Sequence, residues 1–206
     1  MINIVDYDKV YRAAFPFLNK LKITSLPVST DEITSYLGIE TKPLSEYISE
    51  GFECDDIFRI WGNRDGVALQ YNGKTVIAYN DYKIVQRQRF TIAEECSHVL
   101  LGHLENREFN IFNQSYSYDL YEQFEEEARA CAGLLLFPPS FYYNHLEYGS
   151  IEEIAARCDI SLKCAETRVD IYNKHRTYII YNINKYGLQM YKPQAHFEFT
   201  PATVGF

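Results

Sequence analysis

The stretch Arg89 to Leu101 constrains the fold more than any other part of the chain. On a helical wheel at about 100° per residue, Thr91, Glu94, Glu95 and His98 share one narrow arc. Phe90, Ile92, Ala93, Cys96, Val99, Leu100 and Leu101 cover most of the remaining circumference. A helix that is apolar nearly all round belongs inside the molecule, yet its single polar strip holds two carboxylates and an imidazole. Unpaired buried charges cost several kcal/mol each, so the strip is predicted to face a water-filled cleft, a cation or a compensating partner. Glu94 and His98 stand at i and i+4 and can reach one point in space.

A second segment, Glu125 to Pro138, reads as another mostly buried helix. Small Ala128 and Ala132 lie on the same stripe as Glu125, which permits close helix approach and points Glu125 into the contact. Glu126 sits beside Glu122 on the more solvated side. The order Glu94-Glu95-Cys96-Ser97-His98 has the spacing of H-E-x-x-H, in which two His bind zinc and the intervening Glu handles the attacking water, but one His is missing. The same residues also admit a structural reading. Thr91-x-x-Glu94 is a capping-box spacing, with Glu94 closing a helix start and His98 a satisfied core residue.

Elsewhere, residues 6–21 carry Val10, Ala13, Ala14, Phe17 and Leu18 at helical spacing, and Ser29-Thr30-Asp31 caps a second helix that ends at Gly38. Three short runs follow, Ile57–Trp61, Val67–Tyr71 and Lys74–Tyr79, separated by Asn63-Arg64-Asp65-Gly66 and Asn72-Gly73. They predict a three-stranded antiparallel meander. From there to about residue 175 the pattern is helical, with Pro138-Pro139 closing one helix and Ser150-x-x-Glu153 opening the next. The last thirty residues show no clear period.

At 206 residues and about 150 per domain, the chain is one compact domain with an appendage. The 28 acids and 20 bases give a formal charge of -8, the wrong sign for coating nucleic acid by phosphate neutralisation. Neither a signal peptide nor an apolar run long enough to span a bilayer is readable. Five scattered cysteines without a C-x-x-C pair suit reduced thiols. The expectation is a cytoplasmic protein.

Together the two buried helices resemble the ImmA/IrrE family of zinc metallopeptidases, which are gluzincin-like. The family signature runs approximately R-F-T-L-A-H-E-L-G-H-L-L-L-G-H, followed by E-x-E-A-N-x-F-A-A-x-L-L-M-P. Arg89-Phe90-Thr91-Ile92-Ala93 and His98-Val99-Leu100-Leu101-Gly102-His103 follow the first motif, and Glu125-x-Glu127-Ala128 through Pro138 follows the second. Leu26-Pro27-Val28, the short sheet, and Ile160-Ser161 with Arg168 also have counterparts. The resemblance implies that His98 is the second metal-binding His, Glu125 the downstream carboxylate ligand and Glu95 the catalytic base. Glu94 occupies the place of the first His. Thr91, His103 and Glu127 are expected to support these residues from behind.

A His-His-Glu set leaves zinc with net positive charge, whereas Glu94, His98 and Glu125 would cancel it and acidify bound water less. An oxygen-richer site also relaxes selectivity toward Mn, Mg or Ca. Without a cation, Glu94, Glu95 and Glu125 would crowd together until at least one held a proton, with Thr91, Arg89 or water as partners. In hydrolysis, Glu95 would take the proton of a metal-held water and pass it to the leaving amine. Tyr116, Tyr118, Tyr121, Tyr142, Tyr143 and His103 are candidates by type for stabilising the oxyanion. An ordinary C-terminal capping role suits His103 better than ligation. An exposed edge of the meander could take an extended peptide by strand addition.

The expected fold is therefore α+β: a zincin-like domain over residues 1–145, mainly helical with the meander before the metal-site helix. A helix-turn-helix-like extension and C-terminal tail occupy 146–206. The expected function is hydrolysis of a peptide bond in a regulatory protein such as a helix-turn-helix repressor. Two alternatives stand beside it. One is a catalytically impaired, peptidase-like protein that binds such a partner without cleaving it. The other is DNA binding through residues 150–172, disfavoured because five bases there and just beyond (Arg157, Lys163, Arg168, Lys174, Arg176) meet five acids (Glu152, Glu153, Asp159, Glu166, Asp170).

Overall fold

The computed structural model describes residues 5–71, 73–104, 110–111, 118–147 and 149–188. The chain opens with α1 (Tyr7–Leu21), started by Asp6, whose side chain accepts from the Lys9 N–H. Its buried face holds Val10, Tyr11, Ala14, Phe15, Phe17 and Leu18. Ser29 caps α2 (Thr30–Leu37) and Gly38 ends it with φ of 66°, the left-handed conformation that glycine adopts without strain.

The sheet corrects the meander in two ways. Ile57–Trp61 is not a strand but the end of a helix, α4 (Cys54–Trp61), whose Ile57 and Trp61 are buried. With its polar residues Asp55, Asp56 and Arg59 on the other side, the run has helical rather than two-residue periodicity once Cys54 is included. In its place stands β1 (Ile39–Pro43), leading into α3 (Leu44–Ser49). β1 pairs parallel with β3 (Lys74–Tyr79), and β3 pairs antiparallel with β2 (Gly66–Tyr71) in the expected hairpin. A two-residue β4 (Asn110–Ile111) adds to β2 at Leu69 and Gln70, giving a mixed sheet of order β1-β3-β2-β4. β1 escaped notice because Ile39-Glu40-Thr41-Lys42-Pro43 has one buried residue and so no apolar run.

Two long helices cross behind the sheet: α5 (Val85–Leu100) and α6 (Tyr118–Leu136). Gly66 sets the distance between α5 and the sheet, since a Cβ there would lie 2.6 Å from Thr91 Cγ2 and 2.7 Å from Ala78 O. Ala93 and Cys96 on α5, and Ala128, Cys131 and Ala132 on α6, are fully buried, as the stripe of small residues predicted. A short α7 (Pro139–Phe141) and a π-helical turn (Tyr142–Leu146) lead to α8 (Ile151–Cys158), α9 (Leu162–Lys174) and α10 (Arg176–Lys185). Ser150 caps α8 through the Glu153 N–H at 3.1 Å.

One hydrophobic cluster runs from α1 through α5 and α6 to α8, α9 and α10, including Phe15, Leu134, Ile154, Tyr172 and Ile179, while Leu44, Ile57, Trp61, Val67 and Ala78 form a second, smaller one under the sheet. All five cysteines are free thiols. Among the described residues no helix is long and apolar enough to cross a membrane.

Candidate functional site

α5 begins at Val85 with Ile84 as its N-cap residue, so Thr91 and Glu94 lie mid-helix and the capping-box reading of that pair is overturned. The helix ends in a Schellman arrangement: Gly102 at φ 73°, the Gly102 N–H donating to Val99 O at 3.1 Å and the His103 N–H to His98 O at 2.9 Å. The backbone of His103 thus caps the helix, and the reversal turns its ring inward.

The polar strip faces a cleft of about 190 Å³ bordered by α5, α6 and the sheet; Thr91, Glu94, Glu95, Tyr121, Glu125 and Arg129 are among its lining residues. Arg129 is its organising cation. Nε lies 3.1 Å from Glu94 Oε1, Nη2 2.9 Å from Glu125 Oε2 and Nη1 2.6 Å from Glu126 Oε1. One guanidinium therefore holds three carboxylates from two helices. Arg89, the partner expected from sequence, is spent elsewhere, on the carbonyls of Val28, Cys158 and Asp159 and the Asp159 carboxylate. Sequence reasoning missed Arg129, although its i+4 and i+3 spacing from Glu125 and Glu126 is the ordinary helical ion-pair signal.

Burial pushes Glu94 up to about 7, against the pull of Arg129. Glu95 is pushed up to about 8, by burial first and then by the Glu94 charge, although its carboxylate accepts the Ala68 N–H at 2.7 Å. At neutral pH Glu95 is therefore mostly the neutral acid. Glu125 is also raised, chiefly by burial, and Tyr121 hydrogen-bonds it. Tyr121 itself is pushed up to about 12 by burial and by Glu125. Of the oxyanion candidates, Tyr121 alone among the described tyrosine side chains lines the cleft. Tyr142 and Tyr143 donate instead to Asn173 Oδ1 and Tyr172 O. Tyr116 and the Tyr118 side chain lie outside the described residues.

Behind the cleft runs a buried polar chain. His98 Nε2 is 3.5 Å from Glu125 Oε1, and its Nδ1 is 3.0 Å from His103 Nδ1. His103 Nε2 lies 3.2 Å from Glu127 Oε2, and its ring stacks on Phe124 at 4.1 Å between centroids. Glu127, fully buried, accepts from Lys9 Nζ at 2.7 Å and Gln123 Nε2 at 2.7 Å. Burial holds His98 well below the usual imidazole range and brings His103 down to about 4. Both rings are thus neutral at pH 7. Thr91, the third expected supporter, packs against Gly66.

His98 and Glu125 approach as two donors to one metal ion would, but among the described residues no three of His, Cys, Asp and Glu are grouped closely enough to hold one. Two of the three expected ligands, Glu94 and Glu125, are bound by Arg129. As arranged the donor set does not hold a metal ion; ligation would need Glu94 and Glu125 to turn from Arg129 toward His98.

A family model described as Peptidase_M78, IrrE N-terminal-like domain, matches residues 50–170. That is more than half of the chain and contains both motif-bearing helices. The chain belongs to the ImmA/IrrE family. It is metallopeptidase-like in fold and family, and the mixed sheet with its two crossing helices is the α+β architecture expected of an ImmA/IrrE protein. No curated protein matches the sequence.

The strand-addition site expected on an ImmA/IrrE sheet is partly taken: on the outer side of β2, β4 covers Leu69 and Gln70 and Glu95 holds the Ala68 N–H. In the α8–α9 pair, Arg168 is buried, Arg157 and Lys163 pair with Glu153 and Glu166 at 3.7 and 3.6 Å, and Arg176 pairs with Glu147. Of the five bases counted in that segment, three are thus paired with carboxylates.

Proposed function

We propose that this ImmA/IrrE-family chain binds a regulatory protein in and around the acidic cleft without cleaving it, with the Arg129 guanidinium standing where the family's peptidases place their cation. The observation that carries this reading is the triple engagement of Arg129 by Glu94, Glu125 and Glu126. A charge-assisted, multiply hydrogen-bonded guanidinium already supplies what clustered carboxylates require. Glu95, whose carboxyl accepts the Ala68 N–H at 2.7 Å, is in this reading a sheet-edge acceptor rather than a base. A helix-turn-helix repressor is the proposed partner, because such proteins carry a basic DNA-facing surface and this chain carries a formal charge of -8. Elemental analysis of the protein purified without added metal tests the reading. The expected zinc or manganese content is well below one per chain, and stoichiometric metal would overturn it.

One observation favours a second reading, metal-dependent hydrolysis with Glu94, His98 and Glu125 as ligands to zinc or manganese and Glu95 as base. Arg129 occupies the Asn position of the second family motif, as Glu94 occupies the His position of the first. The two departures meet at 3.1 Å and cancel in charge, so a dication held beside both would keep the net charge of the His-His-Glu site. Cleavage of a repressor in the presence of zinc, lost in Glu95→Gln, would establish this second reading in place of the first.

A further inference from the structure

Among the described residues, Arg168 is a buried cation without an anion. It is 4% exposed, and no carboxylate among the described residues forms an ion pair with it. Its Nη1 donates to Ala130 O at 3.0 Å, and its Nε has no hydrogen-bond partner. The guanidinium lies flat on Gly133, where a Cβ would come within 2.4 Å of Nη2. Glycine at this position of α6 is what admits the side chain. A guanidinium does not lose its charge on burial, and a buried charge left unpaired is costly, so the arrangement calls for an anion.

The same side chain lines a cavity of about 380 Å³ between α5, α6 and α9. Val5, Phe90, Ile160 and Ile171 give it apolar walls, with Cys164 beside Arg168 and Lys163 also lining it. The cavity is separate from the acidic cleft and shares only Arg87 and Arg129 with it. Its one carboxylate among the described residues, Glu126, is already paired with Arg129 at 2.6 Å. A concave, mostly apolar space of this size with a few convergent polar groups is the usual form of a small-molecule site.

We propose that this cavity binds a small amphipathic carboxylate, its head on the Arg168 guanidinium and its tail between α5 and α9. A carboxylate meets a guanidinium side-on through two parallel N–H···O bonds, and Nε, buried and unpartnered, lies on the edge that the Ala130 contact does not use. Arg87, Arg129 and exposed Lys163 also bring positive charge to the cavity lining, each ion-paired with a carboxylate. An uncharged amphiphile of the same length would fill the same walls but leave Arg168 unpaired.

Calorimetric titration of the full chain with octanoate, and with octan-1-ol as the uncharged control, tests the proposal. Octanoate is expected to bind saturably at one site, and octan-1-ol at least ~10-fold more weakly, the discrimination a lost charge-assisted pair produces. Arg168→Gln, which keeps a donor for Ala130 O, is expected to erase the difference between the two ligands. Cys164→Phe fills the cavity and is expected to abolish octanoate binding. Exposed Lys163→Glu leaves the core untouched and is expected to weaken binding severalfold, so a folding failure of either buried variant still leaves a decisive arm. No saturable octanoate binding, equal binding of octan-1-ol, or binding unaffected by Lys163→Glu would overturn the proposal.

Discussion

Two clusters of charge sit on the same pair of helices, and they are neutralised in opposite ways. At the cleft, three carboxylates gather around one half-exposed guanidinium, Arg129. Behind it, Lys9, Glu127, His103 and His98 form a chain in which the carboxylate is ionised, the imidazoles are neutral and the links are hydrogen bonds, buried except at the Lys9 end. The first cluster is open to solvent on the Arg129 side, whereas the second is part of the packing. A substitution should therefore cost stability at the back and change ligand chemistry at the front.

The largest effect is expected at the back. Glu127→Leu leaves Lys9, Gln123 and His103 without their shared acceptor and should cost about 2–3 kcal/mol, below the range for a fully buried charge pair because Lys9 is a third exposed to solvent, measured by urea unfolding. A loss below about 1 kcal/mol would put the two clusters on the same footing and break the contrast.

Next comes the pH dependence of stability. Glu94 and Glu95 titrate near 7 and 8 in the folded protein and near 4.3 when unfolded, so the folded state holds protons that the unfolded state has released. Stability therefore falls as pH rises through this range, by up to about 1.4 kcal/mol per pH unit per group. Between pH 7 and 8 the histidines add little, being neutral in both states. Glu95→Gln keeps an acceptor for the Ala68 N–H and should flatten the slope in that window; an unchanged slope would mean that Glu95 is ionised.

Arg129→Ala should cost only about 1 kcal/mol near pH 8, since a half-exposed ion pair is screened by solvent. The cost should shrink as pH falls below about 7, where Glu94 takes up its proton. Smallest is Arg59→Ala, which breaks an exposed α4 pair with Asp56 and should stay within about 0.5 kcal/mol.

The parts of this molecule legible in sequence are those fixed by local periodicity. The all-round apolar wheel of Arg89–Leu101, the small-residue stripe of α6, the Ser29 and Ser150 caps and the Gly38 stop all depend on neighbours within one or two turns. Illegible were the features decided across the fold. β1 exists because β3 offers it a parallel edge, not because Ile39–Pro43 reads as a strand. Arg89 and Arg129 look alike in sequence, and only the position of the α8–α9 turn shows that the first is drawn to Asp159 and away from the carboxylates. His103 read correctly as a helix end, but the same turn that caps α5 also drives the ring into contact with His98. Thr91, Glu94, Glu95 and Glu125, which meet at the cleft, were thus visible as a set, while their partners were not.

The central claim is that Arg129 fills the cation's role in the cleft, and a zinc competition titration against a chromophoric chelator tests it most directly. The wild type is expected to take zinc no more tightly than about micromolar, and the Glu94→His/Arg129→Asn double variant, which restores both family positions, ~10- to 100-fold more tightly. Wild-type protein that holds one zinc per chain as tightly as the double variant would contradict the account.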